Sequence, residues 1–258
     1  MLQTQVTIGD KGLVGPAWWE LTLAGPDLGL QAGQFLLVRC DTLWSCYLRR
    51  PIFPQPQADG NLRLLLRPDP DPGLAWLAAR QPGETLEVIG PLGTGFTLPA
   101  EPHNLLLISD SQFLSPLLGL VDAALAAGYS VTLALGASRA SALFPITRLP
   151  PAVEFHAATL DGSLGRRGPV TQLLPELLRW ADQVCAVGST RLYRAIKAAA
   201  AQVRFARPEG FAYGLITDLP LACGVGACLG CAIETSTGIR LACTAGPVFD
   251  LAALTFEA

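Results

Sequence analysis

Hydrophobic and polar positions follow two different rhythms along this chain, and the change falls near residue 100. Before it, residues 5–9, 18–25, 34–40, 62–68 and 85–90 form short, mixed apolar stretches separated by Gly and Pro. Turn signals at this spacing predict the strands of a small antiparallel barrel. From Asn104 the runs become continuously apolar: residues 104–109 and 130–136 read as buried strands. The segment Pro116 to Ala127 between them reads as a helix stopped by Gly128. Residues 183–188 and 190–203 repeat strand then helix, and this alternation predicts a parallel α/β layer. After about Ala206 the chain turns rich in Gly and Cys, with one strand pair joined around Thr237-Gly238. The expected fold class is β plus α/β, in the order barrel (1–99), α/β domain (100–205) and small cysteine domain (206–258).

Composition narrows the function classes. A length of 258 residues, half of them hydrophobic, allows a sizeable core. The net charge of -3 offers no basic field for a polyanion, and no Lys/Arg cluster is interleaved with aromatics, so nucleic acid is not an expected partner. Mean hydropathy is high at +0.39. The most apolar stretch, Asn104 to Ser138, is nevertheless interrupted by Asp110 and Asp122, leaving segments short of the roughly 20 residues that cross a bilayer. No membrane span is expected; an obligate partner surface is an alternative reason for the apolarity. The first residues lack a basic region followed by an apolar one, so no secretory signal is expected and the cytoplasm is the expected compartment.

A disulfide framework is not expected of seven cysteines in that compartment. Cys40, Cys46 and Cys185 sit among apolar residues and read as small buried hydrophobes. Cys223, Cys228, Cys231 and Cys243 are spaced C-x4-C-x2-C-x11-C, and the first intervals match the plant-type ferredoxin run. Four thiolates on a tight loop can hold a 2Fe-2S cluster, and Gly224, Gly226 and Gly230 let the backbone turn closely around it. The rival is a four-cysteine zinc site. Such sites show paired C-x2-C knuckles, and only Cys228/Cys231 has that spacing.

With these residues in view, the chain resembles the electron-transfer subunits of class B dihydroorotate dehydrogenases, within the ferredoxin reductase superfamily. The resemblance is carried by Ala32–Cys40, Leu48–Ile52, Gly90–Phe96, Asp161–Thr171, the cysteine run and Gly246–Phe249. It implies a barrel that binds FAD, an α/β domain that receives a nicotinamide dinucleotide, and a C-terminal 2Fe-2S domain. It also implies a partner, the catalytic FMN-containing dihydroorotate dehydrogenase subunit, with electrons passing from FMN through the cluster to FAD and then to NAD.

Residue by residue, the implied nucleotide sites depart from the family pattern. The flavin-contacting Arg-x-x-Ser/Thr stretch stands here as Arg50, Pro51, Ile52 and Phe53, which keeps the phosphate-clamping Arg and loses the hydroxyl. The next flavin stretch, Gly-Thr before an apolar helix, stands as Gly73 and Leu74. Asp69 and Asp71 place negative charge near the implied pyrophosphate, against which Arg50 and Arg67 would act. For the nicotinamide, a Gly-rich turn is implied after the first α/β strand, yet Ser109 to Pro116 contains no glycine, and Asp110 opposes phosphate. The implied Cys-Gly-Pro element stands as Val187-Gly188-Ser189. Direct NAD use is therefore expected to be weak or absent, with the α/β domain kept as scaffold.

Two other function classes stay open at this point: a subunit of another flavin-linked oxidoreductase, and a cluster-bearing structural or regulatory module without enzymatic work. Trp18, Trp19, Trp44, Trp76 and Trp180 read as core or interface anchors. His103 and His156 show no neighbour at a spacing suited to proton transfer, and Arg166-Arg167 reads as a solvated face.

Overall fold

The computed structural model describes residues 2–16, 18–40, 46–57, 59–67, 71–101, 103–203 and 210–256. Trp44, Asp69 and the boundary expected near residue 206 lie outside them.

The first part contains β1 (Leu2–Gly15), β2 (Trp18–Ala24), β3 (Phe35–Val38), β4 (Arg50–Ile52), β5 (Gln55–Pro56), β6 (Leu62–Leu66), α1 (Pro72–Ala78) and β7 (Thr85–Leu92). Its strands form one antiparallel sheet in the order β4-β3-β7-β1-β2-β6-β5. Along β7 buried residues alternate with more exposed ones, as expected for a sheet with one face on a core. Ile8, Leu21, Leu36, Ile52, Leu64, Leu77 and Leu86 fill that face. The two edge strands are separated in sequence by Phe53 and Pro54 alone. That connection reaches at most about 11 Å, so the sheet curls to bring its edges near each other.

The second part contains β8 (Asn104–Ser109), α2 (Ser115–Ala126), β9 (Ser130–Ala137), β10 (Glu154–Thr159), β11 (Arg166–Arg167), α3 (Leu174–Trp180), β12 (Gln183–Val187), α4 (Thr190–Val203) and β13 (Ala212–Leu215). The chain ends with β14 (Ala232–Thr235), β15 (Gly238–Leu241), α5 (Ala242–Ala245) and β16 (Val248–Asp250). The second sheet runs β11-β10-β9-β8-β12-β13-β16 and is parallel except for β16. β12 is buried at every position because helices cover both faces of a parallel sheet. The cysteine segment is held between β13 and β16, so the C-terminal stretch lends two strands to the α/β sheet and keeps only the β14–β15 hairpin to itself.

The helix α2 joins the two parts. It is apolar on nearly all sides, and its Ser115 Oγ accepts the Leu65 N–H of β6 at 2.8 Å. Gly119 packs closely on Gln55 and Pro56 of β5, which a Cβ there would approach to 3.2 and 3.4 Å. Trp18 meets Phe144 edge-on at 6.0 Å between ring centres, and one continuous core runs from Leu105–Ile108 across to Phe35, Phe53 and Leu92. Trp18 is thus the anchor expected of it, and Trp19 and Trp76 also pack against the core of the first sheet while carrying Lys11 and Arg80 over their rings. No helix among the described residues is long and apolar enough to cross a membrane.

Candidate functional site

The cysteine loop takes its shape from backbone signs. Gly224 and Gly226 adopt φ of +72° and +77°, and Leu229 reaches +58° without being a glycine. Alternation between left- and right-handed residues turns successive amides to the same side, which builds a concave donor surface for anions. The N–H groups of Val225, Cys228 and Ala227 accordingly point at Cys223 Sγ, and this field lowers its thiol pKa to about 6. Gly226 N–H donates to Cys243 Sγ at 3.1 Å, and Cys243 N–H donates to Cys231 Sγ at 3.4 Å.

The Cys228 side chain hydrogen-bonds with Cys223 and the Cys231 side chain with Cys243, and Cys223 also acts on Cys243 through its charge. Burial, followed by the neighbouring Cys231, pushes the Cys243 thiol up to about 12. Among the described residues, no three His, Cys, Asp or Glu side chains converge around one point as a single ion requires. Cys231 and Cys243 are buried, while Cys228 is exposed beside Val225 and Leu229, so one edge of the site reaches the surface.

Distant segments support this loop. A Cβ built on Gly224 would lie 2.6 Å from Leu92 and 3.1 Å from Leu37, so the loop rests on β7 and β3 of the first sheet. Thr94 N–H donates to Gly246 O at 2.5 Å, and the spaces beside Gly33 are filled by Val248 and Phe96. Four of the segments that carried the sequence resemblance, the cysteine run among them, therefore meet in space.

The expected flavin residues are brought together only in part. Arg50 Nε lies 3.1 Å from both carboxylate oxygens of Asp71, and its Nη1 donates to Leu48 O at 3.0 Å. Asp71 is also the N-cap of α1, accepting the Gly73 and Leu74 N–H groups at 2.8 and 3.0 Å. The stem of Arg50 fills the space in which a Cβ on Gly73 would stand. Arg67 takes another partner, with its guanidinium over the Trp18 ring at 5.4 Å. Pro51 pairs with Leu37, Ile52 is buried, and Phe53 is buried between Phe35 and Phe113, at ring distances of 6.0 and 5.6 Å. The family comparison had presented Asp71 only as an unfavourable charge; the Asp-Pro pair ahead of a helix was the signal for a cap.

Asp110, in the turn after β8, bridges to the turn after β12. Its carboxylate accepts the Ser189 N–H at 2.8 Å and the Ser189 hydroxyl at 2.7 Å, just before α4. A cleft of about 330 Å³ lies beside it at the C-terminal ends of the parallel strands, lined by Gly136, Ser138, Thr171, Ser189 and Arg191. Open α/β sheets place ligands at that edge. His156, expected to be isolated, has Glu154 Oε1 at 2.9 Å from its Nε2, because residues two apart share a strand face.

Residues 220–255 match the model of the iron-sulfur cluster binding domain of dihydroorotate dehydrogenase B. The dihydroorotate dehydrogenase B (NAD(+)), electron transfer subunit of Bacillus caldolyticus is 32% identical over 254 residues, which cover 95% of each chain. The chain belongs to this family of electron transfer subunits. Among solved structures, an NADH-dependent reduced ferredoxin-NADP oxidoreductase chain aligns with a TM-score of 0.81 at 23% identity, covering 97% of this chain and 89% of that one. A ferredoxin NADP+ reductase from Neisseria gonorrhoeae, with bound FAD and NADP, aligns with a TM-score of 0.67 at 16% identity, covering 82% and 97%. As a member of the dihydroorotate dehydrogenase B electron transfer subunits, the chain thus carries the ferredoxin reductase fold in both sheets and an iron-sulfur binding segment at its C-terminal end.

Proposed function

We propose that this subunit carries a 2Fe-2S cluster and FAD, and that it passes electrons from a catalytic, FMN-containing dihydroorotate dehydrogenase subunit to an acceptor. The observation that carries the reading is the pairing of four thiols inside a cradle of inward N–H groups. The C-x4-C-x2-C run suits two irons, with Cys223 and Cys228 on one and Cys231 and Cys243 on the other; a four-cysteine zinc site would show paired C-x2-C knuckles, and only Cys228/Cys231 has that spacing. Bound there, the cluster would take up and release single electrons. The amides of Val225, Gly226, Ala227 and Cys228 offset its negative charge, and the exposed edge at Cys228 leaves a short path to a docked partner.

As functional parts, we assign residues 1–99 to an FAD-type barrel, 100–205 to a nucleotide-type α/β domain and 206–258 to the cluster domain, which lends two strands to its neighbour. The flavin is assigned to the first part, with Arg50 as phosphate clamp, Gly73 and Leu74 opening α1, and residues 51–53 along the adjoining strand; Arg67 stands farther out, over Trp18. The donor set suits a pyrophosphate, although Asp71 engages it. A cytoplasmic setting would keep the four thiols reduced for cluster assembly.

The acceptor is the point of departure from the relatives, whose name carries NAD(+). Here Asp110 takes the Ser189 amide and hydroxyl that open α4, and a carboxylate at that place repels a dinucleotide phosphate. Electrons are therefore assigned to a protein or another small acceptor. Two measurements test the reading. The purified chain should show the visible bands of a cluster with matching iron and sulfide, and extraction should release FAD; a colourless protein holding zinc would refute the cluster. Micromolar NADH, mixed rapidly, should leave the flavin absorbance unchanged over seconds, and prompt bleaching would overturn the assignment of the acceptor.

A further inference from the structure

The Nε edge of Arg50 is already engaged. Its Nε faces both oxygens of Asp71, its Nη1 is held by Leu48 O, and its stem is pressed on Gly73. The same Asp71 oxygen accepts the Gly73 and Leu74 amides, so a guanidinium and two backbone donors converge on one carboxylate. Guanidinium forks and backbone amides bind carboxylate and phosphate with the same geometry. Burial opposes the charge on Asp71, but the hydrogen bonds from Leu74 and Arg50 outweigh it and hold the carboxyl below its ordinary range, so it is ionised at neutral pH.

We propose that Asp71 is an internal stand-in for a flavin pyrophosphate: the Asp71–Arg50 ion pair and bound FAD exclude each other, and Asp71 sets how tightly this subunit holds its flavin. The inference rests on the flavin reading above. For FAD to take the Nε edge of Arg50, the carboxylate must withdraw, because that one N–H cannot serve two anions at these distances. Asp71 thereby acts as a positioning residue, through Arg50, and lowers affinity without touching the isoalloxazine ring.

The test is a fluorescence titration of the flavin-free full chain with FAD and, separately, with riboflavin, which lacks phosphate. Asp71→Asn removes the charge and keeps an acceptor for the α1 amides, as Asn is a good N-cap. Asp71→Ser is a second uncharged cap, and Asp59→Asn, on the exposed turn before β6, controls for net charge. Both Asp71 variants are expected to bind FAD about tenfold tighter than the natural chain, with riboflavin unchanged and the cluster spectrum intact. Unchanged or weaker FAD binding in both variants, or an equal gain for riboflavin and FAD, would overturn the proposal while the flavin reading stands. A gain in Asp59→Asn equal to that in the Asp71 variants would overturn it as well. Failure of every protein to bind FAD, with the cluster present, would remove the flavin reading and the proposal together.

Discussion

Cys231→Ser should strip the chain of the proposed cluster: iron and sulfide are expected to fall to background, the visible absorption to disappear, and electron transfer from the proposed partner to stop. The magnitude follows from the site. Cys231 is 1% exposed, its Sγ accepts the Cys243 amide, and it pairs with the Cys243 thiol. A serine oxygen is a harder donor on a shorter bond, so one iron would lose a ligand that no neighbour can replace. The buried hydroxyl adds about 1–3 kcal/mol of destabilisation if its hydrogen bonds are imperfect. Cys185→Ala gives the contrast. Cys185 is buried in β12, and burial alone raises its thiol pKa, as befits a packing residue. Its loss should leave the metal content unchanged and lower stability by about 1–2 kcal/mol. If Cys231→Ser kept the visible bands, or Cys185→Ala lost them, the ligand assignment would be wrong.

How much of this was legible in the sequence depends on the range over which each feature is determined. The strand at Gln183–Val187 and the helix at Thr190–Val203 could be read because continuous burial and a 3.6-residue period are local properties. The four cysteines were legible because a cluster loop compresses its ligands into a short, specific spacing. β13 and β16 were not, because four- and three-residue strands carry no period of their own and are defined by their partners in the second sheet. The bond between Asp110 and Ser189 spans 79 positions. Sequence reasoning gave both residues as losses of family glycines and prolines; folding alone shows that they compensate one another. Asp71 follows the same logic at shorter range: its charge was visible, and its partner was not.

Valine at position 224 should cost the fold about 2–5 kcal/mol while leaving every proposed ligand in place. Two terms add. A β-branched residue at φ +72° stands in the left-handed region, and the strain there is about 1–2 kcal/mol. Its Cβ would also lie 2.6 Å from Leu92 and 3.1 Å from Leu37, both buried, and overpacking of this kind costs about 1–3 kcal/mol. Gly238 separates the terms, since φ there is +101° and nothing lies within 4 Å of an added Cβ. Gly238→Val should therefore show the backbone cost alone, and the difference between the two midpoints in denaturant measures the contact between cysteine loop and first sheet. With the cluster in the proposed site, that contact would also hold it against the first sheet, so Gly224→Val should release iron to a chelator faster than Gly238→Val at equal fraction folded. Equal midpoints and equal release would mean that the loop is not anchored on Leu92 and Leu37, and that the spacing between cluster and flavin is set instead by the Thr94–Gly246 bond.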